Sequence, residues 1–178
     1  LAASERFGLR LGLDRMRRFL RELDTPQDRY RIVHVGGTNG KGSVCAMVAE
    51  ILHHQGFRTG LYTSPHLQRV NERIAVDGQE ISDDALDDLL HRIAALPRDV
   101  AEGPGEPETR DDPLTYFEIL TIAAFVHFAE AGVEVAVVEV GMGGRLDATN
   151  VVRPVVSAIT TIGLDHTELL GPDVASIA

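Results

Sequence analysis

The sequence RIVHVGGTNGKGS, residues 31–43, is the strongest indication of the fold. RIVHV is a short apolar, β-branched run of the kind that forms a strand, and it ends in Gly36 and Gly37. Beyond the loop, apolar residues recur at helical spacing until Gly56: Val44, Met47, Val48, Ile51 and Leu52. The pattern predicts a strand, a glycine-rich loop and a helix in succession.

The loop GGTNGKGS has the features of a nucleotide phosphate site. Glycines let successive backbone N–H groups turn toward one anion, the helix N-terminus adds partial positive charge, and a lysine reaches the outer phosphates. Lys41 is the single lysine among the 17 Lys and Arg residues. The usual pattern G-x-x-x-x-G-K-[ST] is matched only in part, because Val35 replaces its first glycine and Gly42 its Ser or Thr. The alternative is a glycine turn with an exposed lysine, but the flanking strand and helix favour nucleotide binding.

Helix and strand patterns alternate along the rest of the chain. An amphipathic helix is predicted over 13–23, and strands are predicted at 58–63, 133–140 and 155–160. Ser82 is expected to cap a further helix, and Thr115 and Glu118 to form the capping box of another. The acidic, Pro- and Gly-rich stretch 97–113 is predicted to be a surface loop without chemistry.

The runs at 133–140 and 155–160 are continuously apolar and β-branched. Such runs are typical of central parallel strands that are covered on both faces. Together with the order of the elements, they predict an α/β fold: a wound, mostly parallel sheet with helices on both faces.

Composition limits the classes of function. The length and 44% hydrophobic content fit a single domain, and the net charge of -10 argues against a nucleic-acid partner. A lone cysteine, Cys45, forms no internal disulfide, and the sequence has neither a leader nor an apolar run long enough to span a membrane. We therefore expect a cytoplasmic protein with no membrane partner, and both chain ends look like cut positions.

Polar residues follow three of the predicted strands. Ser64 follows the strand at 58–63, Glu139 lies near the end of 133–140, and His166 follows 155–160. Ligands of wound α/β sheets bind beyond the carboxyl ends of the strands, so the three side chains are expected to face the phosphate loop. A hydroxyl and a carboxylate suit Mg²⁺, whereas a histidine is an unusual ligand for it. On spacing alone, a hydrogen-bonded loop residue is the favoured interpretation of His166.

The stretch VGMGGRLDATN, residues 140–150, combines three glycines with Arg145 and Asp147. It is interpreted as a second loop that approaches a ligand closely. Asp147 is a candidate acceptor for the donor groups of a heterocycle.

Five segments together resemble the folylpolyglutamate and dihydrofolate synthases, within the Mur ligase-like superfamily. In order, they are HVGGTNGKGS, LYTSPHLQRVNERI, LTYFEILTIAAF, VEVGMGGRLDATNVV and ITTIGLDHTELLG. TSPHL and GGRLDATN are the specific ones, because peptidoglycan-building amide ligases share the phosphate loop without them. The resemblance covers most of the chain.

The resemblance implies a role for each matching residue. ATP phosphates would be held by Gly37, Thr38, Asn39, Gly40, Lys41, Gly42 and Ser43. Magnesium would be bound by Ser64, Glu139 and His166, with Lys41 and His166 catalytic. The pteroate or folate site would be lined by Thr115, Tyr116, Phe117, Glu118, Leu146, Asp147 and Ala148, with Phe117 stacked on the pterin ring. The turn of Leu11, Gly12 and Leu13 would also line this site.

The resemblance also implies an activity and a domain organisation. Residues 1–178 would form the N-terminal ATP-binding domain of a ligase that uses ATP and Mg²⁺ to join L-glutamate to folate or dihydropteroate through an acyl phosphate. Family members continue into a glutamate-ligase domain and carry a carbamylated lysine beyond the DH motif, so the fragment alone is expected to be inactive and the full-length protein monomeric. The alternatives are a peptidoglycan-type amino-acid ligase and a module that binds ATP without turnover.

Overall fold

The computed structural model describes residues 12–96 and 113–177. Leu11 and all but the last residue of the predicted loop at 97–113 lie outside these ranges. The helices are α1 Asp14–Glu22, α2 Lys41–His54, α3 Asp83–Ala94, α4 Tyr116–Glu130, α5 Thr167–Leu170 and α6 Val174–Ile177. The strands are β1 Arg31–Gly36, β2 Thr59–Tyr62, β3 Ile74–Val76, β4 Gln79–Glu80, β5 Val135–Glu139 and β6 Val156–Ile159. Short 3-10 helices cover Pro26–Asp28, Val70–Arg73 and Ala148–Val151.

The six strands form one sheet in the order β4-β3-β2-β5-β1-β6. β2, β5, β1 and β6 run parallel, while β3 and β4 continue the sheet antiparallel beyond β2. The predicted wound, mostly parallel α/β sheet is confirmed. The phosphate loop connects β1 to α2, and it therefore lies at the carboxyl end of a strand inside the sheet.

Helices cover both faces of the central strands. On one face, Val35 and Val137 pack against Cys45 and Ala49 of α2. On the other face, Val138 and Tyr62 belong to the large core that includes α4. Burial raises the pKa of the Cys45 thiol to about 12, which fits a packing role. Within residues 12–96 and 113–177, no helix has the length and apolar character needed to cross a membrane.

The predicted helix caps are confirmed. The Ser82 hydroxyl accepts from Ala85 N at 3.2 Å and starts α3. Thr115 and Glu118 form the expected capping box of α4: Glu118 N donates to Thr115 Oγ1 at 3.3 Å, and Thr115 N donates to Glu118 Oε2 at 2.7 Å. These bonds satisfy backbone N–H groups that have no partner inside the helix.

The expectation that both apolar runs form covered central strands is wrong for β6. β6 pairs with β1 alone and lies at the edge of the sheet. Val156 is 54% exposed and Ile159 69% exposed, and of the strand only Ala158 packs against the cluster under α2. In the described part of the chain, the apolar composition of this strand therefore does not indicate whether the strand is buried.

The hairpin of β3 and β4 is absent from the sequence prediction. Its turn is formed by Asp77 and Gly78, both with positive φ, at 52° and 76°. Asp77 Oδ1 also accepts from Thr59 N at 2.8 Å, which fixes the turn to β2. An Asp-Gly pair between extended segments is a strong hairpin signal that could have revealed this edge of the sheet.

Candidate active site

The phosphate loop is fixed by the segment that follows β6. Thr38 N donates to Thr161 O at 2.6 Å, and Thr38 Oγ1 accepts from Gly163 N at 3.0 Å. Gly37 has a φ of 130°, and a side chain there would collide with the Thr160 hydroxyl. Glycine is therefore required at 37, and the loop conformation depends on the neighbouring strand.

Lys41 opens α2 and bends back over the loop. Its Nζ donates to Thr38 O at 3.2 Å, and the side chain lies in a pocket shared with Asp165 and His166. An ammonium group has three donors, so two are available after this bond. The helix N-terminus and Lys41 thus present positive charge at one point.

Glu139 ends β5 directly beneath this loop. The residue is only 4% exposed, and its Oε2 accepts from Ser64 N at 2.9 Å. Burial raises the pKa of Glu139 above its usual range, while the N–H groups of Ser64 and Gly42 and the charge of Lys41 offset part of the rise. The structure thus brings Lys41, Gly42, Ser64 and Glu139 together, as three separate motifs predicted.

The predicted magnesium ligands are arranged unequally. Ser64 and Glu139 are joined by the hydrogen bond above, whereas His166 is exposed, with its Nε2 3.9 Å from Asp165 Oδ1. The described ranges contain no cluster of three or more His, Cys, Asp or Glu side chains able to hold a metal. One carboxylate and one hydroxyl fit an ion that keeps several waters and is completed by phosphate oxygens, as Mg²⁺ usually is.

Asp147 is buried and already holds the loop at 140–150. Its Oδ2 accepts from Met142 N at 2.9 Å, and its Oδ1 accepts from Thr149 N at 3.0 Å and from the Thr149 hydroxyl. A carboxylate offers about four lone pairs. One acceptor position on Oδ2 therefore remains for a ligand donor.

A buried histidine extends this network. His34 Nε2 lies 2.8 Å from Thr149 Oγ1, and the Thr149 hydroxyl donates its proton to Asp147, so His34 Nε2 is the donor in its own contact. Burial lowers the pKa of His34, and the Asp147 carboxylate partly offsets the change. The sequence analysis missed His34 and Thr149; the signal was a histidine inside an apolar strand.

The start of α4 combines capping with an ion pair. Besides closing the capping box, Glu118 accepts from Arg15 Nη2 at 2.9 Å, with both side chains largely buried. Glu118 therefore joins α4 to α1 while Thr115 caps α4, and any contact that either makes with a ligand comes in addition to this role.

Aromatic side chains pack between α4 and the loop at 140–150. The rings of Phe117 and Tyr62 lie 6.0 Å apart, and Phe117 Cζ is 2.5 Å from the position that a Cβ on Gly141 would take. Tyr116 lies under the guanidinium of Arg73, at 5.4 Å. Arg73, like His34 and Thr149, is not among the site residues that the sequence predicts.

The remaining predicted site residues differ in burial and surroundings. Ala148 is buried in the large core, Leu146 is partly exposed, and Leu13 is buried at the start of α1, which contacts the 3-10 helix Ala148–Val151. Gly12 has nothing within 4 Å of the position that a Cβ would take.

The profile of the Mur ligase middle domain matches residues 35–173. The dihydrofolate synthase/folylpolyglutamate synthase of Bacillus subtilis is 39% identical over 175 residues, which are 97% of this chain and 39% of that protein. A probable bifunctional folylpolyglutamate synthase/dihydropteroate synthase of Haloferax volcanii is 45% identical over 174 residues, which are 97% of this chain and 20% of that protein. The chain thus spans well under half the length of these relatives.

Solved structures agree in fold and sequence. Escherichia coli FolC in complex with DHPP and ADP superposes with a TM-score of 0.83 at 40% identity, over 95% of this chain and 38% of that one. An FPGS–AMPPCP–folate complex superposes with a TM-score of 0.86 at 39% identity, over 99% of this chain and 43% of that one. The match extends over both the phosphate loop and the loop at 140–150.

Proposed function

This chain belongs to the Mur ligase middle-domain family, with folylpolyglutamate and dihydrofolate synthases among its relatives, and we propose that it is the ATP-binding part of a folate ligase. The observation that carries the proposal is the convergence of Lys41 and the buried Glu139 at a glycine loop between β1 and α2. The reaction would form an amide bond between L-glutamate and the carboxylate of a folate or of dihydropteroate.

ATP would bind at residues 37–43. Backbone N–H groups of the loop and of the first turn of α2 would contact the phosphates, and Lys41 would reach the outer ones with its two remaining donors. The ADP and AMPPCP complexes of the similar structures support this assignment.

Magnesium would be held by Glu139 and Ser64, with His166 as a further ligand. Bound there, the ion would stabilise negative charge on the transferring phosphoryl group. Glu139 suits this role because its buried carboxylate is held in place by Ser64 N and lies beside Lys41. His166 is exposed on the segment 163–166, which is tied to the phosphate loop through Gly163 and Thr38.

The chemistry needs no covalent enzyme intermediate. A carboxylate oxygen of the acid substrate attacks the γ-phosphorus of ATP, the bond to the β-phosphate oxygen breaks, and ADP leaves. The glutamate amine then attacks the acyl carbon, loses a proton, and phosphate departs. Lys41 supplies electrostatic stabilisation, and the remaining contribution of the chain is positioning.

The acid substrate would lie between α4 and the loop at 140–150. Phe117 offers a ring face, and Asp147 retains one acceptor position for a donor of the pterin. Tyr116, Leu146 and Ala148 would contribute to the same site, with Leu13 beside them. The folate names of the relatives favour this substrate over the nucleotide-linked sugar of a peptidoglycan ligase. The full-length protein is expected to act as a monomer on small molecules.

ADP release tests the proposal in the protein at its full natural length. With ATP, Mg²⁺, glutamate and either dihydropteroate or a folate, Lys41→Ala should lower turnover by roughly 100-fold or more. The control is Arg29→Ala, which removes an exposed cation that pairs with Asp24. Turnover that survives Lys41→Ala unchanged would overturn the assignment, and comparison of the two acids identifies the preferred one.

A further inference from the structure

Arg73 is a buried cation at the end of the 3-10 helix Val70–Arg73. The residue is 8% exposed. Its carbonyl oxygen accepts from Thr63 N at 3.0 Å, so its backbone is fixed to the residue that follows β2. Arg73 therefore lies next to the segment that carries Ser64.

Among the described residues, the side chain of Arg73 makes one hydrogen bond and one cation–π contact, and neither partner is an anion. Nε donates to His66 Nδ1 at 2.9 Å, and the guanidinium lies 5.4 Å from the ring centroid of Tyr116. Because His66 Nδ1 accepts this bond, the ring proton is on Nε2 and the imidazole is neutral. The contacts hold the guanidinium plane in place without balancing its charge.

Several other arginines of the described ranges have acid partners, whereas Arg31, like Arg73, has a cation–π contact. Arg15 pairs with Glu118 at 2.9 Å, Arg69 with Asp83 at 2.6 Å, and Arg92 with Glu130 at 2.6 Å. Over residues 12–96 and 113–177, Arg73 makes no ion pair, and its two Nη groups donate no hydrogen bond to a described residue. Neither Nη atom is among the fully enclosed polar atoms without a partner, so both reach open space.

The Nη groups keep access to solvent while the rest of the side chain is buried, and a charge in such a place is usually balanced by an anion. The charge of Arg73 acts toward the aromatic side chains of the candidate substrate site. Burial raises the pKa of Tyr62 most strongly, and among the smaller effects Arg73 lowers it and Asp147 raises it, so both charges act on this ring. Asp147 is balanced by its three donors, and Arg73 is not.

We propose that Arg73 binds the carboxylate of the acid substrate through its two Nη groups, with Tyr116 behind the guanidinium plane. The inference rests on the proposed folate ligation, because it concerns the acid that the reaction consumes. A planar guanidinium fork matches a carboxylate in a bidentate contact, whereas the phosphates of ATP have the backbone loop at 37–43. The contact would fix the carboxylate and reduce its repulsion from ATP.

The test compares a charged ligand with a neutral one of the same shape. Pteroate and its carboxamide are titrated by fluorescence into the full-length protein and into its Arg73→Met, Arg73→Lys and Arg69→Met variants. Arg73→Met should weaken pteroate by roughly 10- to 100-fold and the amide by less than about 3-fold. Arg73→Lys should retain part of the preference for the charged ligand, and Arg69→Met, which changes an exposed paired arginine of the same segment, should retain all of it.

The outcomes separate the inference from the proposed function. Equal losses for pteroate and its amide would show that Arg73 supports the pocket or the pterin ring, and would overturn the carboxylate assignment. An unchanged preference for pteroate in Arg73→Met would overturn it as well. If the unmodified protein binds neither ligand, the folate proposal itself fails. ADP binding in each variant serves as the control for folding.

Discussion

β5 and β6 have the same kind of sequence and opposite surroundings. Every residue of β5 is buried, because β2 and β1 flank it and α2 and α4 cover its two faces. Within residues 12–96 and 113–177, β6 pairs with β1 on one side only, and Val156 and Ile159 are exposed. A continuous β-branched run therefore indicates a strand that tolerates burial on both faces, while its place in the sheet depends on what packs against it.

The two strands also contribute differently to the site. β5 ends in Glu139, a single buried carboxylate held by Ser64 N. The segment after β6 contributes hydrogen bonds instead: Thr160 Oγ1 donates to Asn39 O at 2.7 Å, and Thr161 O accepts from Thr38 N. The buried strand thus positions a charged side chain, and the exposed strand shapes the phosphate loop.

An aspartate substituted into each strand should give the largest difference in unfolding free energy between β5 and β6. Val138→Asp should reduce the free energy of unfolding by about 4 kcal/mol or more, because an unpaired carboxylate would be buried under α4. Val156→Asp should cost less than about 1 kcal/mol, since its side chain remains in water. Urea unfolding followed by circular dichroism measures both.

If Val138→Asp does not fold, alanine variants keep the comparison. Val138→Ala is expected to cost about 2 kcal/mol through lost burial and a cavity, against less than about 0.5 kcal/mol for Val156→Ala. Equal losses at the two positions would mean that β6 is covered in solution, and the contrast between the strands would be wrong.

Two glycines, in the strands that flank β5, allow a further comparison of packing with smaller expected effects on stability. A Cβ on Gly60 of β2 would lie 2.9 Å from Phe128 Cδ1, whereas a Cβ on Gly36 of β1, beside β6, would meet Val140 Cγ2 at an ordinary 3.7 Å. Gly60→Ala should therefore destabilise the protein by about 1–3 kcal/mol through overpacking. Gly36→Ala should be close to neutral in thermal unfolding, and a loss equal to that of Gly60→Ala would contradict the account.

Much of the fold was predictable because its signals are local. The strand, loop and helix at 31–54 and the caps at Ser82 and Thr115 depend on residues within a few positions of each other. The exposure of β6 and the Arg15–Glu118 pair depend on distant contacts, 103 residues apart in the second case, and no local pattern contains them. The hairpin at Asp77 and Gly78 did have a local signal, and its omission was avoidable.

The candidate site likewise contains residues that the sequence predicts and residues that it does not. Residue types at strand ends correctly suggested that Ser64 and Glu139 meet, because parallel strands of one sheet end at a common edge. Arg73 and His34 could not be assigned from the sequence, because their importance comes from burial and from which partners they have or lack. A charged or polar residue in an apolar run indicates a special environment without specifying it.

His34 lies on β1, between β5 and β6. Its titration should have the smallest effect on the unfolding free energy. It pairs in register with Val138 of β5 and with Ser157 of β6. Burial lowers its pKa below the usual value, so the unfolded chain binds the proton more readily than the folded one. The stability that His34 contributes is complete above about pH 6.5 and is lost as the pH falls through the folded pKa.

The variant His34→Gln isolates this contribution, because its amide can still donate to Thr149 Oγ1 but does not titrate. Between pH 7.5 and 5.5, the variant should lose less unfolding free energy than the unmodified protein. His127, whose pKa burial also lowers, and Glu139, whose raised pKa acts with the opposite sign, are present in both proteins and cancel in the difference. His54→Gln, which removes an exposed histidine that contacts Glu50 on α2, is the matched control. An equal pH dependence of the unfolding free energy in His34→Gln and the unmodified protein would mean that water reaches His34 from the side of β6. β1 would then not share the burial of β5.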